Sequence, residues 1–415
     1  MGSKLIDHLF RHHSGKMVSV LTRIFGLKHL ESIEDAVQDT FIKASLAWRN
    51  NPPENPEAWL TQAAKNRVLD IFRSLKTHQK HILDFNLGTD TIAVNDLFLD
   101  TEIADAQLRM IFSACHPKLD PRDRISFALK TVSGFSIKEI SSALLTKEDT
   151  IKKRLARAKK AILASDLKFQ IPQGKALPER LESVMEVLYL IFNEGFHSNK
   201  KEILIREELC GEALRLCQML LKNKHTRTPE SYALCALMCF HSARLDAKTN
   251  LENELLSLKM QDRSLWYFPL IEVGNAMMHK AVQCKTFSCY HYEAAIAAEH
   301  LKVARFEDTN WDKIHYWYQC LHTLQPMDIH VLSMAVICIQ KEDFKLTKLY
   351  LDSLNSHDFE QRSYLFYGTV AEYFIATNDF RKAINQIDLA LNAVNNDLER
   401  HYLESKKKDI LDKMK

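Results

Sequence analysis

Apolar residues recur at intervals of three and four along most of the chain, the spacing of helices that bury one face, so the expected fold is all-α. Residues 17–75 read as three helices. The first carries Val18, Leu21, Ile24 and Phe25. The second runs from about Ile33 to Trp48, with Ala36, Val37, Phe41, Ala44 and Trp48 on its apolar side. Glu34, Asp35, Gln38 and Asp39 stand in or near its first turns, where acids favour the helix dipole. The loop Asn51-Pro52-Pro53-Glu54-Asn55-Pro56 breaks the pattern, and a third helix follows from Glu57 to Leu75. Its far half is basic and polar: Lys65, Asn66, Arg67, Asp70 and Arg73. These elements form a first small domain, residues 1–75. Periodicity then fades, and residues 76–104 read as a mobile linker.

A second helical domain covers 105–168. Ser136-Ile137-Lys138-Glu139 fits a capping box, in which the serine accepts from a backbone amide and the glutamate reaches back to the cap; Gly134 before it suits a turn. A short helix Ile137–Leu145, a break at Thr146–Asp149 and a longer helix Thr150–Ser165 make a helix-turn-helix layout. On the longer helix Ile151, Leu155, Ala158 and Ile162 share one stripe. Lys153, Arg157 and Lys160 point away from it, flanked by Lys152, Arg154 and Lys159. From Lys147 to Lys168 there are eight Lys/Arg against three Asp/Glu. A basic face opposite an apolar stripe is how a recognition helix enters a major groove and neutralises phosphates. A solvated lysine-rich face is the commoner meaning of such a pattern; the capping box and the short preceding helix favour DNA here.

Ile171-Pro172-Gln173-Gly174 holds both breaker residues and reads as a hinge. Beyond it runs a long series of helices, taken as an extension over 177–285 and repeats over 286–415. With Ala383 as the small residue opening the second helix of a hairpin, Tyr367, Ala371, Phe374, Ile387 and Ala390 fall at tetratricopeptide offsets. Thr347 takes the same place 36 residues earlier, preceded by Asp343-Phe344 as Ala383 is by Asp379-Phe380. Ile314, with Tyr318 and Pro326, suggests a third copy. One such hairpin cannot bury its apolar face alone, so hairpins stack and leave a curved surface suited to a peptide or partner domain.

Composition sharpens this picture. Gly and Pro number only 10 each in 415 residues, which argues against turn-dense sandwiches and collagen-like segments. The net charge of +3 conceals an asymmetry: residues 1–176 hold 27 Lys/Arg and 20 Asp/Glu, while the remainder holds 29 and 33. A polyanion-binding half joined to an acidic half is implied. The nine cysteines form no CxxC and sit mostly in apolar contexts, as small buried hydrophobes of a reducing compartment. No apolar run approaches a membrane span and residues 1–17 lack a signal-peptide core, so a cytoplasmic protein without membrane contact is expected. GxxxxGK[ST], HExxH, GxSxG and Gly-rich dinucleotide loops are absent, and no enzyme activity, metal or cofactor is expected. Cys115-His116-Pro117 reads as a buried turn rather than a thiol or metal site. Asn193 and Glu194, inside an apolar helix, point to a hydrogen-bonded contact between domains.

Glu34-Asp35-Ala36-Val37-Gln38-Asp39-Thr40-Phe41, Ala58-Trp59-Leu60 and Ala64-Lys65-Asn66-Arg67-Val68-Leu69-Asp70 together resemble region 2 of RNA polymerase sigma factors of the extracytoplasmic-function (ECF) group. Ile111–Pro117 and the helix-turn-helix resemble region 4. Leu188-Tyr189-Leu190-Ile191-Phe192-Asn193-Glu194-Gly195-Phe196, Gln261-Asp262-Arg263-Ser264-Leu265-Trp266, Tyr292-Glu293-Ala294-Ala295-Ile296-Ala297-Ala298 and Trp311-Asp312 resemble the subgroup with a long C-terminal helical extension. The resemblance implies two partners, core RNA polymerase and promoter DNA. Asp35, Gln38 and Asp39 would dock on the polymerase; Asn66 would hold a flipped base of the −10 element, with Arg67 and Arg73 along the backbone. Trp59 reads as core. Lys152, Lys153, Arg154 and Arg157 match the −35 readers, beside Lys160, although a lysine-rich face favours phosphates over guanine edges. The extension would regulate the protein or dock a protein partner. A different reading, a DNA-binding helical-repeat adaptor acting without polymerase, lacks a use for residues 33–73.

Overall fold

In the computed structural model the described residues are 2–48, 52–78, 100–144, 146–165, 167–196, 206–250, 256–394 and 397–414. Among them the secondary structure is helical with no strand, as the periodicity requires. The chain divides into two compact units, residues 1–191 and 192–415.

The first unit starts with α1 (Gly2–Phe25), followed by α2 (Leu30–Ala47) and α3 (Pro56–His78). The periodicity places the first helix only from residue 17, whereas α1 begins fifteen residues earlier. The helix forms because its face has partners: Leu9, Met17 and Leu21 are buried, and Phe10 meets Phe41 of α2 edge-on, centroids 4.9 Å apart. On α2 the residues Ile33, Ala36, Val37, Phe41 and Ala44 are buried. Trp48 closes that helix and packs edge-to-face on Trp59 of α3 at 5.1 Å, so Trp59 is a packing residue. Asn55 starts α3 by accepting from the Ala58 amide at 3.0 Å. Residues 79–99, most of the expected linker, lie outside the described residues.

Then come α4 (Asp100–Ala114), α5 (Pro121–Thr131), α6 (Ile137–Ala143), α7 (Glu148–Ala164) and α8 (Ala176–Phe196). Gly174, with φ 59°, turns the chain into α8, and the division between units falls further on, inside that helix. Helix C-termini leave carbonyls without partners. At the end of α4 they are met by α8: Arg180 donates to the Phe112 carbonyl and Ser183 Oγ to that of Cys115, at 2.8 Å for the latter. Arg124 ties the following turn, donating to Leu119 O at 2.8 Å, Pro117 O at 3.3 Å and Ser183 Oγ at 3.1 Å. Cys115-His116-Pro117 is therefore a structural turn. Burial pushes the Cys115 thiol up to about 12, which makes it inert. Burial, with Arg180, Lys118 and Arg124 nearby, lowers His116 to about 4.

The second unit continues with α9 (Glu207–Lys222), α10 (Pro229–Ser242), α11 (Phe268–Ala281), α12 (Cys289–Leu301) and α13 (Trp311–Leu324). Gly195 lets the end of α8 meet the start of α9: its carbonyl accepts from Arg206 N at 2.7 Å, and a Cβ there would fall 2.9 Å from the Arg206 carbonyl oxygen. The charges facing Glu194 are Arg206 and Arg362, both in this unit; burial raises the carboxyl's pKa against them. Lys248 is buried, donates to Phe196 O at 2.7 Å and lies 3.5 Å above the Phe196 ring; burial pulls its ammonium down to about 7. No cysteine is in a disulfide.

The chain ends with α14 (Asp328–Gln340), α15 (Phe344–Asp352), α16 (Ser363–Ala376), α17 (Phe380–Ala393) and α18 (Asp397–Lys413). Ala371, Ala383, Ile387 and Ala390 are fully buried in one cluster, with Tyr367 and Phe374 packed on it. Thr347 is fully buried too, 36 residues before Ala383. The joints repeat with it. Glu342 and Asn378 have φ of 58° and 61°, and the next residues, Asp343 and Asp379, donate backbone N–H to the carbonyls of Cys338 and Phe374 at 2.9 and 2.8 Å. Each aspartate then caps the following helix, accepting from Leu346 N at 3.0 Å and Lys382 N at 3.2 Å.

A proton on His116 is disfavoured in the fold relative to the unfolded chain, so its contribution to stability is present above pH ~6.5 and lost as pH falls toward 4. His116→Asn should flatten that part of the acid limb, read as the urea midpoint against pH between 7 and about 4.

Candidate nucleic-acid interface

The position of α7 is set by the turn before it. Ser136 Oγ accepts from Glu139 N at 3.2 Å, and Glu139 Oε2 accepts from Ser136 N at 2.8 Å, closing the capping box of α6. Gly134, with φ 71°, turns the chain into that cap. On α7 the stripe Ile151, Leu155, Ala158 and Ile162 is buried against the neighbouring helices. Lys152, Lys153, Arg157 and Lys160 are exposed, and Arg154 and Lys159 are half-buried on the flanks. A lysine-rich surface of this shape suits phosphates better than guanine edges.

Three of these cations are engaged, Lys159 with Glu34 of α2 at 2.7 Å. Lys152 meets Asp149 at 3.3 Å, an exposed pair of little energetic weight. Arg157 forms a fork on Asp123 of α5, with Nε to Oδ2 at 2.9 Å and Nη2 to Oδ1 at 2.7 Å. The Asp123 side chain is only 4% exposed, so the guanidinium is its counter-ion and fixes α7 on α5. In the sequence Asp123 looks like an ordinary N-terminal acid of α5, with nothing to mark its partner. Arg157 thus has a structural duty besides any contact with DNA.

On α2, Asp35 and Gln38 are exposed and Asp39 is half-buried. Ile42 and Leu46, 51% and 60% exposed, extend the same face. Acids ending in exposed aliphatic residues suit a protein surface better than water. Both were visible in the sequence as apolar residues off the buried stripe. Asp39 also meets α3: Arg67 donates to its Oδ2 through Nη2 at 2.9 Å and Nε at 3.2 Å. Asp35, Gln38, Asp39 and Arg67 line one cleft of about 450 Å³. Asn66 is exposed and accepts from Gln62 Nε2 at 3.0 Å, while Lys65 is buried and its ammonium is held below its usual pKa by that burial. Arg73 lies on α3, with its side chain outside the described residues. Among the described residues there is no cluster of three His, Cys, Asp or Glu that could hold a metal, and no helix long and apolar enough to cross a membrane.

Comparison with known proteins divides the chain along the same lines. Residues 9–77 match sigma-70 region 2, 109–162 match sigma-70 region 4, and 180–282 match a family of unknown function, DUF6596. An uncharacterized protein of Rhizobium meliloti (strain 1021) is 32% identical over 331 residues, 78% of this chain and 77% of that one. ECF RNA polymerase sigma factor SigE of Mycolicibacterium smegmatis is 26% identical over 156 residues, 38% of this chain and 59% of its own. RNA polymerase sigma factor CnrH of Cupriavidus metallidurans is 27% identical over 155 residues, 36% and 81% of the two chains. No solved structure matches.

The two kinds of cation on α7 should separate by experiment. Lys153→Ala should lower the slope of log affinity for duplex DNA against log salt by about 1 and leave the thermal midpoint unchanged. Arg157→Ala should lower the midpoint as well, because it strands a buried carboxylate.

Proposed function

Because the chain belongs to one family with the Rhizobium meliloti protein and carries sigma-70 regions 2 and 4 of the ECF type, we propose that it is a promoter-specificity subunit of RNA polymerase. The exposed α2 face, Asp35, Gln38 and Asp39 running into Ile42 and Leu46, docks on core polymerase. The α7 face of Lys152, Lys153, Arg154 and Lys160 lies along the −35 duplex. Asn66 on α3 takes a flipped base of the −10 element, a capture that needs a polar group at a strand-facing surface beside cations. Phosphodiester chemistry belongs to the polymerase; this chain binds, positions, opens and leaves, in the cytoplasm and without a cofactor. The second unit, with most of the DUF6596 segment and its 36-residue tetratricopeptide-like hairpins, regulates that activity and offers its stacked surface to a protein partner.

The observation that supports this most directly is the presence of residues 9–77 as a region 2 beside a region 4 helix-turn-helix, since an adaptor acting without polymerase has no need of the first. Run-off transcription with core polymerase tests it. The full chain should bind core and give promoter-dependent transcripts, and loss of both would end the reading. Asn66→Ala should keep duplex binding and lower permanganate reactivity of the opened −10 strand.

A further inference from the structure

Three cations of the second unit gather where α10 ends and α11 begins. Arg244 stands just past α10, Lys248 follows it, and Arg263 belongs to Gln261-Asp262-Arg263-Ser264-Leu265-Trp266, the segment that leads into α11. Tyr267 N donates to Ala243 O at 2.8 Å and pins that segment to the end of α10. Lys248 is buried, Arg244 and Arg263 half-buried. Among the described residues no carboxylate pairs with any of the three. Glu307 and Asp308 act on Arg263 from exposed positions, and Asp308 is forked by Arg305 at 3.0 Å. Burial, and then Arg263, pull the Arg244 guanidinium down to about 10. Burial, and then Arg244 and Arg263, hold His300 down at about 3, so its imidazole is neutral.

The donors around this charge are only partly used. Arg263 spends Nη1 on the carbonyls of His300 and Val303, at 2.8 and 2.6 Å, while its Nη2 is buried with no acceptor. Its guanidinium carbon lies 4.5 Å from the centre of the Trp266 ring. Trp266 is 3% exposed, and its indole Nε1–H is also without an acceptor. His300 Nδ1, on the helix end that Arg263 holds, is a third buried nitrogen of this kind. A buried N–H with no acceptor has lost its water for nothing, and cations with no counter-ion repel one another. One anion would answer both.

We infer that Arg263, Trp266 and His300, with Arg244 adding charge, form a binding site for a phosphate group. Arg263 has committed Nη1, so the buried donors that remain are single groups on separate side chains. A carboxylate is best met by one planar fork, whereas a tetrahedral oxyanion accepts single donors one at a time. A dianion also offsets two arginines. The site lies wholly in the second unit and is independent of the function proposed above.

Two measurements on the full chain test it, at constant ionic strength held with chloride. With the five tryptophan indoles isotope-labelled, the indole signal that is missing in Trp266→Phe should move downfield and saturate as inorganic phosphate is added, while those of Trp48 and Trp59 stay still. The thermal midpoint should rise by about 3 °C at a phosphate concentration about tenfold above its dissociation constant. Arg244→Gln, which removes one cation, should weaken phosphate about tenfold. Phenyl phosphate separates the sources of the group. Tighter binding than inorganic phosphate assigns the site to a phosphate ester, its ring beside Tyr267 and Phe268, which are 60% and 59% exposed; equal binding assigns it to the free ion. No movement of the Trp266 signal overturns the site, whatever the midpoint does. Unchanged affinity in Arg244→Gln overturns the part given to that cation, and an equal response to acetate overturns the choice of phosphate.

Discussion

The middle of α1 approaches the end of α5 so closely that a Cβ at Gly15 would fall 2.8 Å from the Val132 carbonyl carbon, an approach open only to glycine. The rest of the unit is arranged around it. With the middle of α1 pressed on the end of α5, Phe10 one turn earlier is left to face α2, and Arg23 two turns later reaches α4. One helix thus serves as a common wall, with region 2 built on one side and region 4 on the other. The charges of α2 and α7 meet through that placement, because α2 packs on α1 while α7 packs on α5, which α1 holds at its end.

What the sequence makes legible is what a single helix decides for itself. The buried stripe of α7 and the cap of α6 depend on spacings of three and four residues, and they stand where the periodicity puts them. The same holds for the small residues of the last hairpin, Ala371, Ala383 and Ala390, which share one cluster. Pairings across long separations are not legible. Nothing near Arg157 in the sequence names Asp123, and nothing near Lys159 names Glu34, so the sign of each charge was readable while its partner was not. The first helix was hidden for a related reason. Glycine within a helix costs about 1 kcal/mol relative to alanine, and nothing near Gly15 in the sequence shows the close approach to Val132 that calls for one there.

At the candidate site the residue types were legible and their duties were not. Arg67, chosen as a backbone contact, pairs with Asp39, chosen as a polymerase contact, so two expected functions meet in one cleft of the free protein. Any partner that takes Asp39 releases Arg67.

The joints at Asp343 and Asp379 carry a consequence of another kind. Each aspartate ends one helix with its backbone N–H and begins the next with its carboxylate, so the whole instruction for turning the chain is held within a few residues and borrows nothing from distant parts of the fold. A segment of 36 residues bounded by two such joints is a self-specified module. Duplication or deletion of one module in frame would leave the neighbouring corners intact, so the tail can change length one module at a time.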